Sequence, residues 1–462
     1  MAVQKTISPI DGSVFVERTL AEGVEIGEAL DRAVAAQRAW TAVPVENRAA
    51  ICRKFCDAFE AKKDAIAVDL TWQMGRPLRY TPNEVRGTLE RARYMIDIAP
   101  EALADVDPGP KAGFRRFIRR EPLGVVFTIA AWNYPYLIAV NSVVPAIMAG
   151  NAVVLKHSAQ TPLCAERFAE AFREAGLPEG VFQVLHLSHE DTELVAKDPR
   201  VAFVAFTGSV AGGHAIQRAL SGRFIGAGLE LGGCDPAYVR HDANLPHAIE
   251  NLVDGAFFNS GQSCCGIQRI YVHEKVYDDF VDGAIALTKQ YVLGNPSEQE
   301  TTLGPLVRTS AADQVRKQIA ASIEGGAQPA IDARQFAADR DGTPYVAPQL
   351  LLQADQRTIV MREEIFGPVA GVMKVRDDDE SIALMNDNPF GLTAAIWTQD
   401  ADAAVAIGDR VDTGTWFMNR CDYLDPALAW VGVKDSGRGC TLSRVGYEHL
   451  TRPKSFHLRV ET

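Results

Sequence analysis

The chain has 462 residues, of which 47% are hydrophobic and 23% charged, and its net charge is −12. That length exceeds one ordinary hydrophobic core and the composition is that of a globular protein, so we expect at least two domains. The acidic balance disfavours nucleic acids and anionic membrane surfaces as partners, because both are bound by basic faces.

The cysteines predict no cross-linked or metal-bound framework. Cys52 and Cys56 lie four residues apart on a predicted helix with Phe55 and Phe59, which indicates core packing. No paired C-x-x-C spacing occurs, so we expect neither disulfides nor a metal site. The first nine residues hold no apolar core and no apolar run is long enough to span a bilayer, so we expect no signal peptide and a cytoplasmic location.

The chain begins with helices. Apolar residues repeat at helical spacing over about 27–104, and a run of Asp, Pro and Gly at 105–110 ends this region. The basic segment 114–120 follows, and it predicts an extended hairpin strand with solvated or intersubunit arginines, the alternative being an anion site.

A parallel sheet is predicted next. Helical patterns, clearest at 164–172, separate apolar runs of strand length at 124–130, 151–156, 181–185 and 201–207. Such alternation indicates a sheet covered on both faces, with ligands bound beyond the carboxyl ends of its strands. A second alternating region spans 235 to about 430, with strands predicted at 268–273, 368–373 and 393–398, and a polar tail follows from 434 that becomes strand-like at 455–458.

Three side chains are candidates for chemistry at a carbonyl carbon. Cys264 lies in the small, polar stretch 259–266, where a thiolate would be open to attack a substrate, although core packing is the alternative. Glu230 lies among apolar residues and glycines, so its pKa is expected to be raised towards neutrality, unless it has a surface partner. Asn133 follows a buried strand and can donate to a developing oxyanion, unless it forms an Asx turn.

Other segments suit a nucleotide. Gly208 and Ser209 lead from a strand into a helix, where backbone N–H groups can bind phosphate, although a plain connection is the alternative. Lys156 is predicted to bind a ribose or phosphate, or to be solvated. Two carboxylates, Glu363 and Glu364, precede Phe366. One of them can hold a ribose while the Phe366 ring packs on a nicotinamide, and the alternative for this segment is a charged turn.

In this order the segments resemble the aldehyde dehydrogenase superfamily over nearly the whole chain. The matching motifs are 132–135, Lys156, 206–209, 229–233, 261–264, 363–368, 388–393 and 436–439. The resemblance implies an α/β fold with a Rossmann-like parallel-sheet cofactor domain, an α/β catalytic domain and a small β oligomerisation element. The implied cofactor domain comprises 1–104 and 123–233, and the implied catalytic domain comprises 234–433. The implied oligomerisation element comprises 105–122 and 434–462.

The resemblance also implies the reaction and its residues. Cys264 corresponds to the nucleophile, with Cys265 a non-catalytic neighbour, Glu230 to the general base, and Asn133 with the Cys264 amide to the oxyanion hole. The implied residues for NAD or NADP are Trp132, Lys156, Ser158, Ala159, Gly208, Ser209, Gly213, Leu231, Glu364 and Phe366. The expected activity is oxidation of an aldehyde to its acid through a thiohemiacetal and a thioester, by a homodimer or homotetramer.

The sequence departs from the family pattern at three places. Ala131 stands where Pro is frequent, which changes loop stiffness more than chemistry. Cys440 and Thr441 replace a common Arg-Glu pair, so a second acidic proton relay is not expected. Ala159 stands where many NAD-preferring members have Glu, so no carboxylate repels a ribose 2′-phosphate and we expect NADP to be used at least comparably to NAD.

Two other functions stay open at this point. A coenzyme A-acylating relative is one, although Glu230 favours water as the acyl acceptor, since water needs a base. A catalytically silent structural or binding protein on the same scaffold is the other. The sequence does not indicate which aldehyde is oxidised. Tyr423, Leu424 and Trp430 are predicted either to line the mouth of the substrate pocket or to pack on the surface.

Overall fold

The computed structural model describes residues 2–421 and 423–461. Its strands are β1 Val3–Ile7, β2 Val14–Thr19, β3 Phe114–Pro122, β4 Val125–Ala130, β5 Ala152–His157, β6 Phe182–Val184, β7 Val201–Thr207, β8 Gly226–Glu230, β9 Asp235–Val239, β10 Ile267–His273, β11 Gln328–Pro329, β12 Gln349–Leu352, β13 Val369–Val375, β14 Phe390–Gly391, β15 Thr393–Trp397, β16 Thr415–Met418, β17 Val433–Lys434, β18 Gly437–Arg438 and β19 Thr451–Arg459.

The helices account for most of the remaining regular structure. They are α1 Gly23–Trp40, α2 Val45–Glu60, α3 Lys63–Met74, α4 Thr81–Ala102, α5 Pro135–Met148, α6 Pro162–Glu174, α7 His189–Lys197, α8 Val210–Leu220, α9 Leu245–Phe257, α10 Tyr277–Thr288, α11 Thr309–Glu324, α12 Ile359–Arg362, α13 Asp378–Asn386, α14 Ala401–Gly408 and α15 Ser443–Gly446. Short 3₁₀ turns lie at Phe258–Gly261, Ala333–Gln335 and Tyr447–Leu450. Within the described residues, no helix is both long and apolar enough to cross a membrane.

The first sheet has six strands in the order β18-β8-β7-β4-β5-β6, and only β18 is antiparallel to its neighbour. Alternate residues of β4 point to opposite faces: Val126 packs with α2, α4, α5 and α6, while Val125 and Phe127 pack with α1, α7 and α8. Because both faces are buried, the strand is apolar at nearly every position, which is why its sequence predicted a parallel strand. The α/β fold class is thereby confirmed.

The second sheet has seven strands in the order β11-β12-β13-β10-β9-β15-β16, of which only β11 is antiparallel. Helices α9 and α10 cover one face, and α11 to α14 cover the other. The first helices, predicted over 27–104, are confirmed as α1 to α4. On α2, Cys52 and Cys56 are buried as predicted, and Phe55 stacks on Phe172 of α6 with ring centroids 3.9 Å apart.

Strand β3 pairs with β19 from the other end of the chain. The ladder is antiparallel and runs from Phe114 opposite Arg459 to Pro122 opposite Thr451. This confirms the extended conformation predicted for 114–120 and the strand predicted for 455–458. Phe117 of β3 stacks on Phe456 of β19 with ring centroids 4.4 Å apart.

Candidate active site

A cavity with an empty volume of about 550 Å³ lies at the carboxyl end of β8. Cys264 and Glu230 both line it, together with Leu424 and Trp430. Cys264 is half-buried and therefore does not belong to the sealed core, which was the alternative for this residue. Tyr423 is not part of this lining, and its hydroxyl instead donates to Glu90 Oε1 at 2.6 Å.

The chain before Cys264 makes a tight left-handed turn after α9. Asn259, Ser260 and Gly261 have φ angles of 54°, 56° and 69°. At Gly261 an added Cβ would lie 2.0 Å from the carbonyl oxygen of Gly367, so glycine is required by both the backbone conformation and this close approach. The non-glycine residues in this conformation store backbone strain, which surrounding contacts must offset.

Hydrogen bonds hold this turn in place. Gln262 donates through Nε2 to the carbonyl of Asn259 at 3.1 Å and accepts at Oε1 from Val307 N–H at 2.8 Å. Ser260 Oγ donates to the carbonyl of Gly304 at 2.8 Å. The cysteine is thus presented by a buried loop whose conformation is fixed on several sides.

A buried polar network links this turn to Asn133. Arg76 forms an ion pair with Glu84, donates from Nε to Asn259 Oδ1 at 3.0 Å, and donates from Nη2 to the carbonyl of Asn133. Asn259 Nδ2 also donates to the Asn133 carbonyl, at 3.1 Å. Sequence reasoning missed Arg76, in the connection between α3 and α4, and Glu84, on α4, because both lie far along the chain from the residues they contact.

Two N–H donors near the cysteine are left open. Among the described residues, neither the side-chain amide of Asn133 nor the backbone N–H of Cys264 has a hydrogen-bond partner, although Asn133 is only 3% exposed. Since buried donors are costly to leave unpaired, they suit an oxygen atom of a bound molecule. This is the donor pair predicted for an oxyanion, and the Asx turn offered as the alternative for Asn133 does not form.

Glu230 is held by two hydroxyl groups. Thr441 Oγ1 donates to Oε1 at 2.7 Å, and Thr207 Oγ1 donates to Oε2 at 3.3 Å. Burial raises the pKa of Glu230, while the Thr441 hydrogen bond and the positive charge of Arg91 oppose that rise. The carboxyl group therefore has neighbours of its own inside the site rather than the surface partner considered as the alternative, and a raised pKa suits it to accept a proton near neutrality.

The cysteine itself rests as a thiol. A hydrogen bond to Cys265 is the largest cause that raises the pKa of Cys264 well above its ordinary value, and burial and the negative charge of Glu230 add to it. A thiol is a poor nucleophile, so a base must remove its proton. Glu230 lines the same cavity and carries the carboxylate for that task.

The carboxylate predicted to bind a nicotinamide ribose lies against the loop that follows β8. Glu364 is half-buried and accepts one N–H from Gly233 at 3.0 Å, and the loss of solvent around it raises its pKa to about 7. Phe366 has a φ angle of 58°, and its ring meets that of Trp132 edge-on with centroids 5.6 Å apart. A Cβ at Gly232 would lie 2.4 Å from Glu364 Oε2, so the glycine lets this carboxylate approach the loop after β8.

Lys156 lies at the carboxyl end of β5 and is buried, with 7% of its surface exposed. Burial lowers its pKa, and no side chain of the described residues pairs with its ammonium group. The solvated lysine considered as an alternative is therefore wrong, and an ammonium group in this position suits an oxygen-rich ligand. Ala159, three residues on, is exposed, and the Oγ of the intervening Ser158 accepts the N–H of Gln160 at 3.3 Å.

The turn into α8 needs glycines because neighbouring side chains pack against its backbone. Ser209 caps the helix by accepting the N–H of Gly212 at 3.2 Å. A Cβ at Gly208 would lie 2.7 Å from the Phe206 ring, and one at Gly213 would lie 2.7 Å from Leu231. The open N–H groups of the first turn, the ammonium group of Lys156 and the carboxylate of Glu364 suit the phosphates and riboses of a dinucleotide.

Comparisons with known proteins show which family this chain is similar to. The aldehyde dehydrogenase family model matches residues 2–456. The succinate-semialdehyde dehydrogenase [NADP(+)] of Mycobacterium avium (strain 104) is 33% identical over 453 residues, which are 97% of this chain and 95% of that protein. An aldehyde dehydrogenase of Paenarthrobacter nicotinovorans is 34% identical over 454 residues, 97% of this chain and 98% of that protein. The crystal structure of succinic semialdehyde dehydrogenase from Streptococcus pyogenes in complex with NADP+ superimposes with a TM-score of 0.94 at 28% identity, covering 99% of this chain and 100% of that one.

Proposed function

The chain belongs to the aldehyde dehydrogenase family and is an NAD(P)-dependent aldehyde dehydrogenase, and on that premise we propose which of its residues perform each step. The observation that carries the proposal is the shared cavity of Cys264 and Glu230, with the open N–H groups of Asn133 and Cys264 beside the sulfur. The nucleophile, the base and the oxyanion donors are thereby assigned to named atoms.

The first step forms a carbon–sulfur bond. Glu230 takes the proton of the Cys264 thiol, directly or through a water molecule, and the thiolate adds to the aldehyde carbon. The carbonyl oxygen becomes an alkoxide, which accepts hydrogen bonds from the Asn133 amide and the Cys264 backbone N–H. Losing one such donor typically lowers turnover by about a hundredfold or more.

The second step turns the adduct into an acid. The nicotinamide cofactor, when bound, supplies the acceptor for the hydride that leaves the adduct carbon, which leaves a thioester on Cys264. Glu230 first releases to solvent the proton that it took from Cys264, and then takes a proton from the water that attacks this thioester. The carbon–sulfur bond breaks with the Cys264 thiolate as the leaving group, and the carboxylic acid is released. Because Glu230 serves the attack by water, we propose hydrolysis rather than transfer to coenzyme A.

The cofactor-binding residues are proposed as a set. Lys156 and the groups around Ser158 and Ala159 hold the adenosine ribose, the α8 N-terminus with Gly208, Ser209 and Gly213 holds the phosphates, and Leu231 packs below them. Glu364 binds the nicotinamide ribose between Phe366 and Trp132.

NADP is proposed to be used at least as well as NAD. Residues 157–160, which follow the strand that carries Lys156, are His, Ser, Ala and Gln, so the segment offers no carboxylate against a 2′-phosphate. Several similar enzymes are named for NADP. The kcat/KM values for both cofactors with one aldehyde test this, and a strong preference for NAD would contradict it.

The domain bounds, the assembly and the location are proposals as well. We propose a cofactor domain of 1–104 with 123–233, a catalytic domain of 234–433, and a β element of 105–122 with 434–462 that forms a homodimer or homotetramer. The paired strands β3 and β19 support this element. The described residues form no disulfide, which supports a cytoplasmic location.

The assignment of Cys264 is tested with Cys264→Ala and, as a matched control from the same loop, Cys265→Ala. Formation of reduced cofactor from an aldehyde is expected to stop in Cys264→Ala and to continue in Cys265→Ala. Glu230→Gln separates the two roles of the carboxylate, which are to deprotonate Cys264 and to deprotonate the attacking water. At high pH the thiol ionises without the base, so this variant is expected to give a rapid burst of reduced cofactor followed by slow turnover, because thioester hydrolysis is slowed. Equal rates for the wild type and Cys264→Ala would reject the proposed nucleophile.

The substrate class is proposed from the relatives together with the small cavity. Two of the similar proteins are named for succinate semialdehyde, a short aldehyde with a carboxylate at its other end. We carry over this class, a short aldehyde acid, as the first substrate to test.

A further inference from the structure

A charged residue that the reaction does not use faces the cavity of Cys264. Arg91, on α4, lines this cavity and is only 9% exposed. Its Nη1 donates to the carbonyl of Leu137 at 3.0 Å and to Asn141 Oδ1 at 3.2 Å. Among the described residues, its Nε and Nη2 make no hydrogen bond, and no carboxylate lies within ion-pair distance of the guanidinium.

Arg91 brings to the cavity a positive charge that has no ion-pair partner among the described residues. Of the described residues in the lining, the other charged one is Glu230, which attracts Arg91 without forming an ion pair and which Thr441 and Thr207 hold by hydrogen bonds. Burial lowers the pKa of Arg91, yet an arginine stays protonated in proteins because its ordinary pKa lies far above neutrality. A buried guanidinium without an anion is costly, so an anionic ligand would be favoured there.

The guanidinium is also fixed in orientation. Both of its acceptors, Leu137 and Asn141, lie on α5, the helix that begins just after Asn133. With Nη1 held by that helix, the free N–H groups form the fork that matches the two oxygen atoms of a carboxylate. The rest of the lining is largely apolar or uncharged, for example Leu137, Ile138 and Trp430.

We propose that Arg91 is the carboxylate-binding residue of the substrate cavity, and that it selects a short aldehyde whose other end is a carboxylate. The inference rests on the proposed function, because it needs the aldehyde group to reach Cys264 in the same cavity. An amine aldehyde would be repelled by the guanidinium, and an aromatic or alkyl aldehyde would leave it unpaired and out of water, so both are disfavoured substrates.

The test compares 4-oxobutanoate with butanal, which has the same chain length but no carboxylate. The quantity measured is the ratio of their kcat/KM values. In Arg91→Met this ratio is expected to fall by about a hundredfold, since a buried charge pair loses one partner. In Arg91→Lys, which keeps the charge but not the fork, the fall is expected to be smaller.

Arg86 provides the matched control, because it is an exposed arginine on the same helix. The ratio is expected to be unchanged in Arg86→Met. A wild-type enzyme without preference for 4-oxobutanoate, or an unchanged ratio in Arg91→Met, would overturn the inference. Thermal unfolding of each variant shows whether it folds. If Arg91→Met does not fold, the kcat/KM ratio of Arg91→Lys is used to test the inference.

Binding of succinate, measured by calorimetry, tests the carboxylate site without turnover. Wild type and Arg86→Met are expected to bind it, and Arg91→Met to lose most of the affinity, whereas equal binding by all three would overturn the inference. If no aldehyde is oxidised but succinate binding depends on Arg91, the proposed function fails while the carboxylate site stands. If both aldehydes are oxidised but Arg91→Met changes neither their kcat/KM ratio nor succinate binding, the role of Arg91 is rejected while the proposed function stands.

Discussion

Thr441 shows how one residue can adjust the base of the reaction. Its hydroxyl donates to Glu230 Oε1 at 2.7 Å. A donor stabilises the ionised form of Glu230 and so lowers its pKa, partly offsetting the rise caused by burial. A second carboxylate in this place would instead have raised that pKa by charge repulsion.

The first prediction follows from this contact. In Thr441→Val the carboxylate keeps the Thr207 hydrogen bond but loses the shorter one from Thr441, so the pKa of Glu230 is expected to rise and the acid limb of the kcat profile to move to higher pH. Thr441→Ser keeps the hydroxyl and is expected to keep the wild-type limb. Steady-state rates over a pH series measure this, and an identical acid limb in Thr441→Val would show that the hydroxyl does not act on the base.

Glu364 carries a second prediction at the same scale. Its pKa is raised to about 7 by burial, and it has one hydrogen-bond donor, Gly233. Hydroxyl groups of a ribose donate best to the ionised carboxylate, so cofactor affinity is expected to be full above this pKa and to weaken as the pH falls through it. In Glu364→Gln the side chain does not titrate, so a weaker but flatter dependence is expected. Titration of NADP binding by protein fluorescence at several pH values checks this, and parallel curves for both proteins would contradict it.

At the scale of elements, the turn after α9 depends on glycine. Gly261 has a φ angle of 69° and touches the backbone of Gly367, the residue that follows Phe366. In this way one close contact joins the loop of the proposed nucleophile to the loop that carries two of the proposed cofactor ligands. A side chain at Gly261 would push these two loops apart.

The third prediction concerns that contact. Gly261→Ala is expected to destabilise the fold by roughly 1–3 kcal/mol, as is typical of backbone strain, and to lower kcat/KM as well. Gly27 is the control, since it lies inside α1 with a free space around its Cβ position. There an alanine is expected to be neutral or to stabilise by about 0.5–1 kcal/mol. Urea unfolding and steady-state kinetics measure both effects, and a Gly261→Ala protein with wild-type stability and activity would contradict the strain.

The sequence predicted those elements that are decided locally. The runs at 124–130 and 201–207 are apolar because both faces of their strands are covered, and they were found as β4 and β7. Glycine and polar motifs at strand ends likewise indicated where ligands bind. What the sequence did not indicate are contacts between distant segments, such as Arg91 facing the cavity or Lys156 being buried, because these depend on how the helices pack over the sheet.

At the scale of the whole molecule, the buried network of Arg76, Glu84, Asn133 and Asn259 joins the two halves of the chain. Arg76 and Glu84 belong to the early helical region, Asn133 follows β4 of the first sheet, and Asn259 precedes the cysteine. Arg76 and Glu84 are 3% and 2% exposed. The loops of Asn133 and Cys264 are therefore held by the same hydrogen-bond network, so a change in the early helical region is expected to alter the geometry of the site.

The last prediction tests this coupling. Arg76→Met leaves the Glu84 carboxylate buried without its partner, which typically costs about 3–5 kcal/mol, and removes a donor from the Asn133 carbonyl. Arg76→Met with Glu84→Gln removes the buried charge as well, so the double variant is expected to be more stable than the sum of the single losses predicts. Its activity is nevertheless expected to stay low, because Asn133 and Asn259 are still without the Arg76 hydrogen bonds. Urea unfolding of the four proteins in the cycle gives the coupling, and additive losses would mean that the pair does not act as a unit. Recovery of both stability and activity in the double variant would limit the role of Arg76 to neutralising Glu84, leaving the position of Asn133 to other contacts.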